Sequence, residues 1–185
     1  MRAADSKRLV IDTDVVQASG SEKATQPRPK HCRDFLQEVL SLGHSVVLTQ
    51  ETSNEWKRHR SGFARRWRVS MEARKKVYRI DPPADEVLRN KIEQTATDKD
   101  EIEDMQKDFH LLEAALATDQ TVASLDENAR QFFARATQNV GEIRDIVWVN
   151  PERIEAEAPI EWLKNGAPPE DHRKLRAWVD MNPEQ

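Results

Sequence analysis

The sequence predicts an α/β protein with three layers, α/β/α, built on a central parallel sheet. Three observations predict it. Short runs rich in β-branched residues alternate with longer amphipathic segments of helical period. That alternation places helices on both faces of a parallel sheet. The chain has 185 residues, the size of one ordinary domain with a terminal extension. Its apolar blocks, such as Val46-Val47-Leu48 and Ile146-Val147-Trp148-Val149, fall far short of the ~20 residues of a membrane span.

The elements follow in order. Leu9-Val10-Ile11, ending at Asp12, reads as a buried strand. Residues 17–30 hold Gly20, Pro27 and Pro29 among polar residues and read as a loop. From His31 to Leu42, the spacing of Phe35, Leu36, Val39 and Leu40 predicts a helix that Gly43 stops. Ser45 to Thr49 is the second strand. Thr49 or Ser53 can cap the next helix, which carries Trp56, Phe63, Trp67 and Met71 on one face, with Gly62 a point of interruption. Asp81-Pro82-Pro83 ends that segment, because proline cannot continue a helix. Helices are expected from about Pro83 to Thr95 and from about Glu101 to Thr118. A strand over Thr121–Leu125 ends at Asp126. Glu127–Thr137 is helical, and Ile146–Val149 is a last strand closed by Asn150-Pro151. The organisation predicted is a domain over residues 1–150 and a C-terminal extension over 151–185. The extension carries Pro151, Pro159, Pro168 and Pro169 together with Trp162 and Trp178, and is expected to form one or two short helices.

Composition narrows the function. The 29 Lys and Arg against 33 Asp and Glu give a net charge of −4, which excludes a uniformly basic nucleic-acid coat protein. Charged residues make up 34%, above the ~25% of an average chain, and mean hydropathy is −0.82, so the core is expected to be modest. Cys32 stands alone, so neither an intramolecular disulfide nor a cysteine-based zinc site is available. The opening residues hold no apolar segment of a secretory signal, and a cytoplasmic protein is expected. The distribution of charge says more than its total. Lys57–Arg79 holds ten Lys and Arg and one acid, whereas Asp98–Asp108 holds six acids and two lysines. Basic clusters attract phosphate-bearing ligands, although a long solvated helix has the same composition.

Acids stand where strands end. Asp12 directly follows the first strand, and Asp126 follows the third. In open parallel sheets, ligands bind beyond the carboxyl ends of the strands. Two carboxylates meeting there repel unless a cation lies between them, and a hard, oxygen-seeking ion such as Mg²⁺ or Mn²⁺ is suited to the task. Each acid also has a plainer reading as a turn or helix-cap residue, Asp126 above all.

Four stretches together resemble PIN-domain nucleases. They are Leu9-Val10-Ile11-Asp12-Thr13-Asp14-Val15, then Val47-Leu48-Thr49 with Glu55 in Thr52-Ser53-Asn54-Glu55-Trp56, then Asp108-Phe109-His110-Leu111-Leu112-Glu113-Ala114-Ala115-Leu116-Ala117, and last Val122-Ala123-Ser124-Leu125-Asp126 followed by Arg130-Gln131-Phe132. The resemblance covers roughly residues 8–150. It implies a PIN-like nuclease domain that hydrolyses phosphodiester bonds in single-stranded RNA. Asp12, Glu55, Asp108 and Asp126 would be the catalytic residues, with Asp12, Asp108 and Asp126 binding Mg²⁺ or Mn²⁺. Glu51 competes with Glu55 for its position. Thr13, Asp14 and Ser124 would support the site from behind. An all-acid pocket repels RNA, so Arg58, Arg60, Arg65, Arg66 and Arg68 are candidate phosphate contacts, and Trp67 either stacks a base or packs internally. Many such domains are toxins of toxin–antitoxin modules, which implies an antitoxin partner and a homodimer. His110 lies two residues after Asp108; on a helix their side chains diverge by about 200°, so His110 is expected at the surface or in packing.

Two other readings use the same residues. Asp12-Thr13-Asp14-Val15 is also similar to the nucleophile motif of haloacid-dehalogenase-like phosphatases, with Asp12 as phosphoryl acceptor and Asp14 as acid/base. A non-catalytic RNA- or protein-binding module with an idle acidic pocket is the third.

Overall fold

The computed structural model describes residues 6–20, 25–58 and 61–181. Five strands form one sheet: β1 Arg8–Ile11, β2 Ser45–Leu48, β3 Val77–Arg79, β4 Thr121–Ala123 and β5 Val147–Val149. All pairs are parallel, in the spatial order β3-β2-β1-β4-β5. Between them run α1 Thr13–Ala18, α2 Pro27–Ser41, α3 Gln50–Arg58, α4 Gly62–Ala73, α5 Glu86–Glu93, α6 Lys99–Leu116 and α7 Glu127–Ala136. The tail adds α8 Ile154–Glu157, α9 Pro159–Lys164 and α10 Leu175–Met181. The predicted three-layer α/β/α architecture is the one observed.

Period-two alternation divides the strand side chains between two cores. Leu9, Ile11, Val46, Leu48, Val147 and Val149 face one side, with Phe35, Leu36 and Val39 of α2 and Trp56, Trp67 and Met71 of α3 and α4. Val10, Val47, Val122 and Trp148 face the other, with Met105, Phe109 and Leu112 of α6 and Phe133 of α7. Both faces are therefore covered, and the strands read as short continuous apolar runs. α2 ends where predicted: Gly43 takes the left-handed conformation at φ +72° and turns the chain into β2.

Four expectations change. The expected loop at 17–30 is partly helical, since α1 reaches Ala18 and α2 starts at Pro27, where the missing N–H of proline costs nothing in the first turn. The helix predicted to carry Trp56 through Met71 is two helices, and Ser61 caps the second by accepting from Ala64 N–H at 3.0 Å. β3 lies inside the basic run and was not expected. The tail holds three short α-helices and a 3-10 turn at Asp171–Arg173, rather than one or two helices. Trp162 and Leu163 of α9 enter the first core, and Leu175 and Trp178 of α10 the second. Among the described residues, no helix is long and apolar enough to cross a membrane.

Candidate active site

The sheet order reverses at β1. From β1 the chain builds β2 and β3 on one side, then β4 and β5 on the other. The crevice beyond the carboxyl ends of β1 and β4 is thus the topological switch point, the usual ligand position in such sheets. The residues that leave these two strands are Asp12 and the run Ser124-Leu125-Asp126. Asp12 N–H donates to Ala123 C=O at 2.9 Å, which keeps the two exits side by side.

Asp12 holds the N-cap position of α1, yet its carboxylate makes no capping bond. Instead Oδ2 accepts from Ser124 Oγ at 2.8 Å. Asp14 Oδ2 accepts from Leu125 N–H at 2.9 Å and lies 3.2 Å from Ser124 Oγ, while its Oδ1 is buried with no hydrogen-bond partner. Ser124 Oγ also accepts from Asp126 N–H at 3.1 Å. One buried hydroxyl therefore ties both acids of the β1 turn to the β4 exit. Thr13 Oγ1 donates to Glu55 Oε2 at 2.7 Å and fixes α3's acid against the same turn.

Asp126 performs its plainer role: Oδ1 caps α7 by accepting from Ala129 N–H at 2.9 Å. Its charge still reaches across to α6. Burial foremost, then the charges of Asp12, Asp126 and Glu55, push the Asp108 carboxyl up to about 8. Burial, then the charge of Asp12, push Asp14 up to about 8. Asp12 is also raised by burial; the Ser124 hydroxyl and His110 oppose the rise, and Glu55 adds to it. The four predicted catalytic acids, carried by the β1 exit, α3, α6 and the β4 exit, thus share one electrostatic neighbourhood. Depressions flank it on either side of Asp126. One of about 460 Å³ is lined by Asp14, Gln17, Arg28 and Asp126; the other, of about 190 Å³, by Lys107, Asp108, Asp126, Asn128 and Phe132.

Among the described residues, no three His, Cys, Asp or Glu side chains are gathered closely enough to hold one metal ion as they stand. The donor chemistry nevertheless fits a hard cation. The set is all oxygen, it carries buried carboxyls whose ionisation is opposed by one another, and Asp14 Oδ1 lacks a partner. Without a counter-ion, such carboxyls hold protons instead.

Of the two places expected for His110, surface or packing, the structure takes the second, although sequence reasoning assigned it no part in the site. It is buried, and both ring nitrogens lack hydrogen-bond partners. Nδ1 lies 3.8 Å from Glu51 Oε1 and Nε2 lies 3.9 Å from Glu55 Oε2. The divergence expected on the helix holds, since His110 approaches the α3 acids while Asp108 approaches Asp126. Of the competing pair, Glu55 is bonded into the site and Glu51 is largely exposed.

The predicted basic contacts separate. Arg58, Arg65 and Arg66 are exposed, and Arg68 donates to Ser53 Oγ at 3.1 Å. Arg60 lies outside the described residues. Trp67 cannot stack a base, because it is 2% exposed and its indole N–H donates to Leu36 C=O at 2.6 Å.

No protein-family model, no curated protein and no solved structure matches the chain.

Proposed function

We propose that the chain is a metal-dependent ribonuclease of the PIN type, hydrolysing phosphodiester bonds in single-stranded RNA. The observation that carries this reading is the convergence of acids from separate elements: Ser124 Oγ donates to Asp12 and accepts from Asp126 N–H, Thr13 ties Glu55 to the Asp12 turn, and Asp108 lines one depression with Asp126. Like charges gathered from separate elements oppose folding, most where Asp12 and Asp108 lose solvent, and their grouping at a topological switch point suits a cation-dependent site.

Asp12, Asp108 and Asp126 would hold Mg²⁺ or Mn²⁺. A divalent cation there supplies Lewis-acid polarisation of a phosphoryl oxygen and a water of lowered pKa. The chain's own residues do the rest. Ser124 orients the Asp12 carboxylate, and Asp14 fixes the β4 exit through Leu125 N–H. Glu55, one oxygen held by Thr13, is placed to accept a proton from the attacking water. Arg28, paired with Glu152, and Lys107, paired with Asp104, line the two depressions beside Asp126 and would exchange those partners for the strand's phosphates. The antitoxin partner, the homodimer and the cytoplasmic setting belong to this proposal as consequences of its toxin-type class.

The test is cleavage of a labelled single-stranded RNA in Mn²⁺ and in chelator, beside a phosphate monoester. RNA cleavage that needs the metal and is lost in Asp12→Asn supports the reading. Monoester hydrolysis without RNA cleavage selects the phosphatase-like alternative. RNA binding in chelator with no turnover at any metal selects the non-catalytic module.

A further inference from the structure

A groove of about 320 Å³ opens between α1, α3 and α4. Val16, Trp56, Ala64 and Val69 give it apolar walls, and Lys57, Arg65 and Arg68 place positive charge along it. Glu72, its one carboxylate, is paired with Arg79. The volume lies at the small end of the ~300–1,000 Å³ typical of ligand pockets, the scale of a single nucleotide rather than of a folded partner. Val69 is 63% exposed, an apolar side chain left at the surface inside the most basic stretch of the chain. The groove adjoins the acidic notch through one helix. Trp56 and Lys57 directly follow Glu55 on α3, and successive helical residues point about 100° apart. Notch and groove therefore lie on neighbouring faces of α3, no further apart than a helix diameter of ~10 Å, within reach of one or two nucleotides of an extended strand.

We infer that this groove is a nucleotide subsite, taking the base of a single-stranded RNA residue one or two positions from the bond held at the notch. The base lies against the apolar walls, and Lys57 and Arg65 meet its phosphates. The inference deepens the proposed function and rests on it for the position of the scissile bond. It assigns the basic arm a pocket as well as a charge, and it gives exposed Val69 a role.

The experiment is binding of a fluorescein-labelled octanucleotide RNA to the full chain in chelator, where no turnover is needed. Val69→Asp puts a carboxylate at the groove mouth on an exposed position that tolerates it in the fold. Affinity is expected to fall about tenfold or more. Val87→Asp, at an equally exposed valine on α5, keeps wild-type affinity. Equal affinity of Val69→Asp and wild type overturns the inference, and so does a loss matched by Val87→Asp. Displacement of the RNA by an acidic peptide with no dependence on Val69 also overturns it. The nuclease reading fails separately, by the absence of metal-dependent cleavage in wild type, a result that leaves the binding comparison readable.

Discussion

The hydroxyl of Ser124 lies 2.8 Å from Asp12 Oδ2, completely buried, and it is also 3.2 Å from Asp14 Oδ2. A hydroxyl has one proton and two lone pairs. That proton cannot serve both carboxylates in full. A proton on Asp14, the direction in which burial and the charge of Asp12 push it, resolves the conflict by being donated to Oγ. Ser124→Ala removes the shared hydroxyl and leaves Asp126 N–H without its acceptor. The expected outcome is a loss of about 1–3 kcal/mol in stability, from stranded buried polar groups. Mn²⁺ affinity should fall about 10–100-fold, as it does when a group orienting a metal ligand is lost. Urea unfolding and calorimetric Mn²⁺ titration check the two; unchanged Mn²⁺ affinity counts against Asp12 as a ligand.

Asp126 combines a structural and a proposed catalytic role, and two substitutions separate them. Its Oδ1 caps α7, and asparagine caps as well as aspartate. Asp126→Asn should keep the fold within a few tenths of a kcal/mol and abolish RNA cleavage. Asp126→Ala should abolish cleavage and also cost about 1 kcal/mol from the lost cap. Near-wild-type cleavage by Asp126→Asn would leave this residue a cap and nothing more.

Much of this site was legible because acids immediately after apolar runs mark strand exits, and exits of neighbouring parallel strands meet. Asp12 and Asp126 follow from that rule alone, whereas Ser124 entered only through the family resemblance. What was illegible has physical reasons. β3 is three residues, Val77-Tyr78-Arg79, at the sheet edge, with no side chain fully buried, so it lacks the apolar run that betrays a central strand. α1 is too short for helical periodicity to register, and Pro27 and Pro29 suggest a loop where they open a helix. The angle between His110 and Asp108 was legible, but that α3 brings Glu51 and Glu55 to 3.8 and 3.9 Å from the His110 ring is a tertiary fact that helical periodicity does not contain. The pocket holding Arg65 and Arg68 needs Val16 of α1 and Trp56 of α3 brought beside α4, which charge counting does not contain either.

The raised carboxyls make stability depend on pH in a stated direction. Burial first, then neighbouring acids, push the Asp14 and Asp108 carboxyls from the ordinary 3.8 up to about 8 in the folded chain. Between those values the folded state holds more protons than the unfolded one. Their contribution is therefore full below pH ~4 and is lost as pH rises through about 8. In chelator, Tm should decline from pH 6 to pH 9, and Asp108→Asn should flatten the decline. A cation needs ionised carboxylates, so the Tm gain from Mn²⁺ should be larger at pH 8.5 than at pH 6. Differential scanning calorimetry checks both trends. A Mn²⁺ gain that shrinks as pH rises contradicts the assignment of these acids to a cation site.

The tail is held to the domain by a buried charge. Arg130 of α7 is 2% exposed; its Nη1 donates to Glu157 Oε1 of α8 at 2.5 Å and Nη2 to Trp148 C=O of β5 at 2.9 Å. Its guanidinium stacks 3.6 Å from the ring centroid of Trp178 on α10. Glu157 Oε2 in turn accepts from Asn150 N–H at 3.1 Å. One side chain thus joins β5, α7, α8 and α10. Removing it leaves Glu157 buried without its closest cation. Arg130→Ala should therefore cost about 3–5 kcal/mol. Arg130→Met with Glu157→Leu removes both charges and should recover most of that loss, because desolvation of the pair offsets much of its attraction. Urea unfolding of both variants supplies the comparison. If the single variant loses less than about 1 kcal/mol, the tail is secured by Trp162 and Leu163 in the other core, and the Arg130 pair is incidental to its docking.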